Sequence, residues 1–396
     1  MKRLALLIVV ALLVATPAQA VQKNIVVKRL DKAIAAQSAE LLVLSGASII
    51  TISNTDGMNS NIALSAMDVN GVPQWQKTID SGVDEVAMSA SVDSGGNIWL
   101  AGFSAEKSLI ETATAPVVAE NPDSVVIEDV QPLRGDSNQL TVWKISPVGD
   151  VLATYISPQD VPGLISAISI NSTGISIVGQ IHESPFLQTM SSTGIFGKVI
   201  QIGTSKTTLN AVVRNSDGST NIFGSSSETL AKKKVAGVRD GILIKVSKAG
   251  VITSVVRSSA VKADRSWLSA DNSLLLSGYV KTGKVIETAI TKFSSTFAPS
   301  WTIRIPSNGA SAAISNGSAT YAALGSKAEI KNIVGWKPVG NQLLLVAFDS
   351  KGQISSAYGS TDLSYPISIT YSKELGVVGL AKSSDGLTSI FHLASR

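Results

Sequence analysis

The chain has 396 residues, with 33 Lys and Arg against 29 Asp and Glu, two His and no Cys. An apolar fraction of 44 % and a charged fraction of 16 % exclude a disordered chain. Without Cys there is no disulfide framework, thiolate metal site or thiol nucleophile, and two His exclude a histidine-rich metal centre.

In chain order, Lys2 and Arg3 precede an apolar run from Leu4 to Val14, and Ala18-Gln19-Ala20 places small residues at both positions a signal peptidase reads. The pattern predicts a signal peptide over residues 1–20 and a secreted or extracytoplasmic (cell-surface or periplasmic) location. The apolar run is shorter than the roughly 20 residues needed to span a bilayer, and no other run approaches that length, so no transmembrane segment is expected after signal removal. Removing Lys2 and Arg3 leaves 31 bases against 29 acids, a net charge of +2. An excess this small does not mark a nucleic-acid binder.

From residue 48 onward two signatures interleave. One is a turn after an alternating apolar run, as in Met67-Asp-Val-Asn-Gly71, Ile145-Ser-Pro-Val-Gly149, Met190-Ser-Ser-Thr-Gly194, Val246-Ser-Lys-Ala-Gly250 and Phe348-Asp-Ser-Lys-Gly352, with Phe293-Ser-Ser-Thr-Phe297 as a copy lacking the Gly. The other is a short apolar strand ending in Gly102, Gly179, Gly224, Gly278, Gly325 or Gly379, with Ser48–Ser53 as an imperfect copy. Their endpoints are spaced by 49, 77, 45, 54, 47 and 54 residues. Each period holds four period-2 strands separated by Gly, Ser, Asn and Asp turns, which is the pattern of a propeller blade. The sequence therefore predicts an all-β fold over residues 21–396, a single β-propeller of seven four-stranded blades. The last copy is one strand short, and the segment 23–28 is expected to close the ring by pairing with that C-terminal blade, so that no sheet edge is left open.

Residues 61–104 resemble the secreted bacterial β-propeller repeat family. The likeness rests on Asp68, Gly71, Trp75 and the run Val92-Asp-Ser-Gly-Gly-Asn-Ile-Trp-Leu-Ala-Gly102, and it degenerates in the later copies. The resemblance implies a rigid exported platform with no single activity and no transferable catalytic residues.

Labelling the strands of a blade a to d from the axis outward, the a–b and c–d turns are uniformly short. The variable connections are b–c loops at 104–138, 180–189, 225–239 and 326–340, so any ligand is expected on the b–c face. Loop 104–138 is a long acidic insertion, holding Glu106, Glu111, Glu120, Asp123, Glu128, Asp129 and Asp136 against Lys107 and Arg134. Its Arg134-Gly-Asp136 tripeptide is a common chance match. Loop 225–239 carries Lys232, Lys233, Lys234 and Arg239, and loop 326–340 carries Lys331, Trp336 and Lys337. Together these predict a basic, aromatic-flanked patch for a protein or an anionic cell-envelope glycan.

His182 and Glu183 are the candidates for acid–base chemistry. His392 and the Trp residues within strands read as structural. No phosphate-binding loop, nucleophile elbow, zinc motif or calcium loop is present, so neither a metal nor another cofactor is expected. The functional expectation is a non-catalytic binding platform acting through its b–c face. The alternatives are a hydrolase or lyase acting on polysaccharide and a structural component of envelope assembly.

Overall fold

The computed structural model describes residues 24–30, 34–36, 38–57, 59–106 and 136–394. The expected signal peptide over residues 1–20 and most of the acidic insertion, including Lys107, Glu111 and Arg134, lie outside the described residues.

The fold is a β-propeller of antiparallel sheets taken in chain order. The first sheet runs Leu41–Ser45, Ser48–Thr55, Asn61–Met67 and Pro73–Ile79. The second runs Glu85–Val92, Ile98–Ser104, Gln139–Ile145 and Val151–Pro158. The third spans 163–201 and the fourth 207–258. The last holds Leu363–Ser372, Gly376–Ser383 and Thr388–Leu393, and Ile34–Ala35 supplies its fourth strand.

Five sheets are thus separate and four-stranded, where the sequence led to seven. Ile25–Val26 with Ile333–Val334 forms a separate two-stranded sheet, and eight further strands merge into one eight-stranded sheet, because the 17-residue strand Pro299–Ser315 has no break between repeats. Its first half pairs with Val285–Phe293 and its second half with Thr320–Ser326, the register shifting between Ser307 and Ser311. Elsewhere a short non-strand connection separates one sheet from the next.

A second correction concerns the N-terminus. Ile25–Val26 pairs in parallel with Ile333–Val334 as a separate two-stranded sheet, and Lys28–Arg29 pairs in parallel with Tyr358–Gly359 at the edge of the eight-stranded sheet, so the described residues of segment 23–28 pair with no strand of the C-terminal sheet. The physical reason is apolar burial: Ile25 and Val27 pack on the cluster that contains Trp336, Ile333 and Leu344. The strand on the last sheet is the later pair Ile34–Ala35, which faces Ile390 and Ser389.

The apolar clusters lie between sheets. Ile50, Ile62 and Leu64 of the first sheet share a cluster with Ile98, Leu100 and Trp143 of the second. Leu42 and Ile49 of the first likewise pack with Val378, Leu380 and Ile390 of the last. The first strand of each four-stranded sheet touches the first strands on either side, which makes these the inner strands. Trp99, Trp143 and Trp267 are buried in this material, as expected from their strand positions.

The recurring Gly within the second strands has a steric cause in a bulged first strand at four positions, whereas Gly325 and Gly379 make room for the Asn308 and Phe391 side chains. In the second sheet a bulge at Met88 shifts the register between Ala87 and Ser89, opposite Gly102. The bulge presses a carbonyl onto the glycine: a Cβ on Gly102 would lie 1.8 Å from the Val86 oxygen. Gly179, Gly224 and Gly278 meet the carbonyls of Leu164, Thr208 and Ser266 at 2.0, 1.9 and 2.0 Å, each beside a register shift in the first strand. The Gly is retained because nothing larger fits under a bulged strand. In the Gly-less turn copy, Phe297 itself adopts φ 62° and is buried against Phe223.

Replacing Gly102 by Ala is expected to lower stability by about 2–4 kcal/mol, since backbone must shift to admit the methyl group. Urea denaturation of the variant beside wild type measures this, and an unchanged midpoint would refute the steric account.

Candidate functional site

The long second-to-third-strand connections and the sheet-to-sheet connections share one end of the molecule, and hydrogen bonds tie them together. Val238 N–H donates to the Ala263 carbonyl at 2.8 Å, and Ser227 N–H donates to the Lys206 carbonyl at 3.0 Å. Ser60 N–H donates to Asp84 Oδ1 at 2.8 Å. The opposite end carries short Asx- and Ser-capped turns, as where Asp68 Oδ1 accepts the N–H groups of Asn70 and Val72 at 2.8 Å each. The two lysine-bearing loops therefore stand at the same end as the sheet-to-sheet connections.

Loop 227–239 of the fourth sheet is built around a buried ion pair. Asp240 is 0 % exposed and accepts the N–H groups of Ala236 and Gly237 at 2.9 Å each. Arg257 Nη1 lies 3.4 Å from Asp240 Oδ2. The same guanidinium donates to the carbonyls of Lys233 at 3.1 Å and Ser226 at 3.3 Å, and also to that of Glu228. Glu228 anchors the near end, its carboxylate accepting from Thr204 N–H at 2.7 Å, Thr204 Oγ1 at 3.0 Å and Thr207 Oγ1 at 2.6 Å. Burial pushes the Glu228 carboxyl up, but these hydrogen bonds and the charge of Lys206 outweigh it and hold the group below its ordinary value of 4.5. The loop ends in a tight turn in which Ala231 and Lys232 take φ 44° and 65°, so Lys232, Lys233 and Lys234 all project to solvent from a fixed hairpin.

Arg239 is half-buried beside Asp264 at 4.0 Å. Lys331 and Lys337 are exposed on loop 327–341, and Lys337 stands 4.0 Å from Glu329. Trp336 is not available to stack on a ligand. It is 6 % exposed, donates from Nε1 to Ser326 Oγ at 2.9 Å and rests on Gly359, whose absent side chain leaves room for the indole. The aromatic half of the expected patch is therefore a buried anchor for the loop, and its cationic half is surface.

Residues 180–189 are not a loop. Ile181 pairs with Ser184, leaving His182 and Glu183 as a two-residue hairpin turn at φ 49° and 59°, both exposed. A water-exposed turn tip has no cleft in which to position a substrate against an acid or base. Among the described residues no group of three or more His, Asp or Glu side chains comes together.

Two hollows flank this face. One of about 770 Å³ lies between the first and second sheets, among Ile79, Asp80, Glu85 and Glu106. The other, of about 310 Å³, lies among inner strands and is lined by Ser269, Ser311, Ile367 and Ser368.

The tertiary arrangement adds cations that the loop-length argument missed. Between the two lysine-bearing loops, the eight-stranded sheet presents exposed Lys262, Lys281 and Lys284. Lys284 lies in the two-residue turn Gly283-Lys284 and Lys281 in the strand that enters it, and the turn is too short to register as a variable loop. Over the first two sheets the same face presents exposed Glu40, Asp56, Asp80, Glu106 and Asp160. The described Lys77 and Lys144 of those sheets lie elsewhere, Lys77 pairing with Asp150 at 3.0 Å and Lys144 lying over Trp99. Exposed carboxylates thus predominate on one side of the face, and lysines, with exposed Glu329 and Asp362 among them, predominate on the other.

No protein-family model and no curated protein matches the sequence. Solved structures match its fold. The chain is similar to the β-propeller domain of Cps50 (Swd1) from Myceliophteria thermophila, at 10 % identity and a TM-score of 0.51, over 92 % of this chain and 99 % of that one. An uncharacterised protein from Listeria monocytogenes aligns at 12 % identity and TM-score 0.49, over 93 % and 98 % of the two chains. The propeller domain of the Trilobed protease from Pyrococcus furiosus aligns at 9 % and 0.49, over 91 % and 95 %. At 10 % identity the likeness to the Cps50 domain shows the propeller fold alone.

Two outcomes follow from the loop geometry. Asp240→Asn leaves the Arg257 charge buried without its counter-charge and is expected to cost about 3–5 kcal/mol in urea denaturation. Because the Glu228 carboxyl is held below 4.5, its contribution is present above that pH and is lost as pH falls through the lowered folded value. Glu228→Gln is expected to flatten that part of the stability curve, measured by denaturation from about pH 5 to about pH 3.

Proposed function

We propose that this protein is an exported, non-catalytic propeller that holds an anionic cell-envelope component, glycan or protein, on the basic side of its loop face. Contact between the last and first sheets, with Ile34–Ala35 as outer strand, closes the ring and makes the platform rigid. The observation that carries the reading is the charge division of that face. Lys232, Lys233, Lys234, Lys262, Lys281, Lys284, Lys331 and Lys337 are exposed across the fourth and eight-stranded sheets, while exposed carboxylates gather over the first two. A net charge near zero conceals this division. A field of one sign over adjoining blades attracts an extended opposite charge and turns the complex to a single orientation. The leader-like N-terminus and the resemblance of residues 61–104 to secreted repeats support export.

The test is binding of envelope extract and of a defined polyanion to wild type and to a Lys232→Ser, Lys233→Ser, Lys234→Ser variant. These side chains project from a turn fixed by backbone, so the variant is expected to fold as wild type does. It should bind about tenfold more weakly at low salt and lose part of the salt dependence. Equal binding with an equal salt slope would refute the basic face as the site.

A further inference from the structure

Beside this basic side the fold encloses a cation that pairs with no acid among the described residues. Arg265 lies in the strand Ala263–Ala270, and its backbone N–H donates to the Arg239 carbonyl at 3.0 Å, so it sits directly under the fourth-sheet loop. It is 6 % exposed, and its guanidinium carbon lies 4.3 Å from the centre of the Trp267 ring. Its Nε is fully enclosed and has no hydrogen-bond partner among the described residues. Trp267 Nε1 is likewise enclosed without an acceptor.

The charges around Arg265 do not compensate it. Arg304 is close enough to disfavour its charge, and burial together with Arg304 lowers Arg265 to about 10, which leaves it cationic at neutral pH. Arg239 stands on the overlying loop, and Lys262 is exposed just before the strand. Each nearby carboxylate is engaged by another cation. Asp264 faces Arg239 at 4.0 Å and accepts from the Tyr279 hydroxyl at 3.4 Å. Glu287 faces Arg304 at 3.6 Å, and Asp240 faces Arg257. A desolvated cation without a counter-charge is costly to the folded state, and one held flat on an indole is already oriented. Such a group gains most from a ligand that brings the missing charge.

We propose that Arg265, seated on Trp267 and flanked by Arg239, Lys262 and Arg304, is the specific contact for an oxyanion carried by an anionic glycan lying across the basic side. The inference rests on the platform reading and deepens it by naming the residue that reads the ligand. The exposed lysines attract the polymer as point charges. Arg265 supplies a planar donor pair that fits two oxygens of one phosphate, sulfate or carboxylate group. Attraction and recognition are then separate tasks of separate residues.

The experiment titrates the full chain at fixed ionic strength with two probes, a glycerol-phosphate polymer and a polygalacturonate, which separate phosphate from carboxylate as the source of the oxyanion. Poly-glutamate is the third arm. Arg265→Met is expected to weaken the preferred glycan about 10- to 100-fold, the range for a charged hydrogen-bonded contact. Its thermal midpoint should equal or exceed that of wild type, because an uncompensated charge has been removed; a role limited to packing on Trp267 would lower it. If Arg265→Met folds poorly, Arg265→Lys decides: retained stability with affinity reduced at least tenfold supports the site. Affinity within about twofold of wild type in the folded variant overturns it. If the triple lysine variant still loses binding in that case, the platform reading stands without Arg265. Binding to poly-glutamate alone, or to none of the three probes, overturns the assignment to a glycan.

Discussion

Everything in this fold depends on the packing of one sheet against the next. A four-stranded sheet here has no core of its own. Ile50, Ile62 and Leu64 are covered only because Ile98, Leu100 and Trp143 of the next sheet lie against them. The arrangement repeats from sheet to sheet, and the Leu42–Ile390 cluster joins the last to the first. Apolar burial supplies the attraction, and the interfaces succeed one another with no central core. The inner strands must therefore approach closely, and polar joints fix that approach. Ser89 Oγ accepts the N–H of Ile168, Ser169 Oγ that of Arg214 and Ser269 Oγ that of Ala313, at 2.9–3.1 Å.

The bulged inner strands follow from the same constraint. A bulge tightens the twist, and it also aims side chains at the neighbouring sheet. Asn210, the extra residue in the fourth sheet, donates to the Trp267 carbonyl at 2.7 Å and to Ser266 Oγ at 3.1 Å. The cost of that geometry falls on the facing strand, which must offer glycine. At Gly102, Gly179, Gly224 and Gly278 one steric fact thus links the register of a strand, the joint between two sheets and the glycine of the sequence signature.

A scaffold held in this way leaves its loop face free to vary. The loops are nevertheless anchored: Asp240 with Arg257, Glu228 with Thr204 and Thr207, and Trp336 over Gly359 each fix a cation-bearing loop from below. Fixed loops present charge at defined positions, which favours recognition because little conformational freedom is lost on binding. The division into an acidic and a basic side, with Arg265 enclosed next to the basic one, is the chemical content of the face.

The sequence alone determined the fold class, the placement of short turns on one face and variable loops on the other, and the lysines of both long loops. These are local properties: period-2 alternation, Gly and Asx turn chemistry, and loop length are written in adjacent residues. It also indicated that the last repeat lacked a strand. Tertiary structure decided which segment filled the gap: Ile25 and Val27 pack on the Trp336 cluster, and Ile34–Ala35 pairs with the last sheet. It decided that Pro299–Ser315 runs unbroken between repeats, since a strand ends only where neither neighbour can pair with it. It turned Trp336 inward and reduced 180–189 to the His182–Glu183 turn, because burial and register depend on what lies opposite. Arg265 reads in sequence as an ordinary charge within an alternating strand. Only the packing of the fourth sheet over it removed its solvent, and only the pairing of Asp264 with Arg239 and Glu287 with Arg304 left it without an acid.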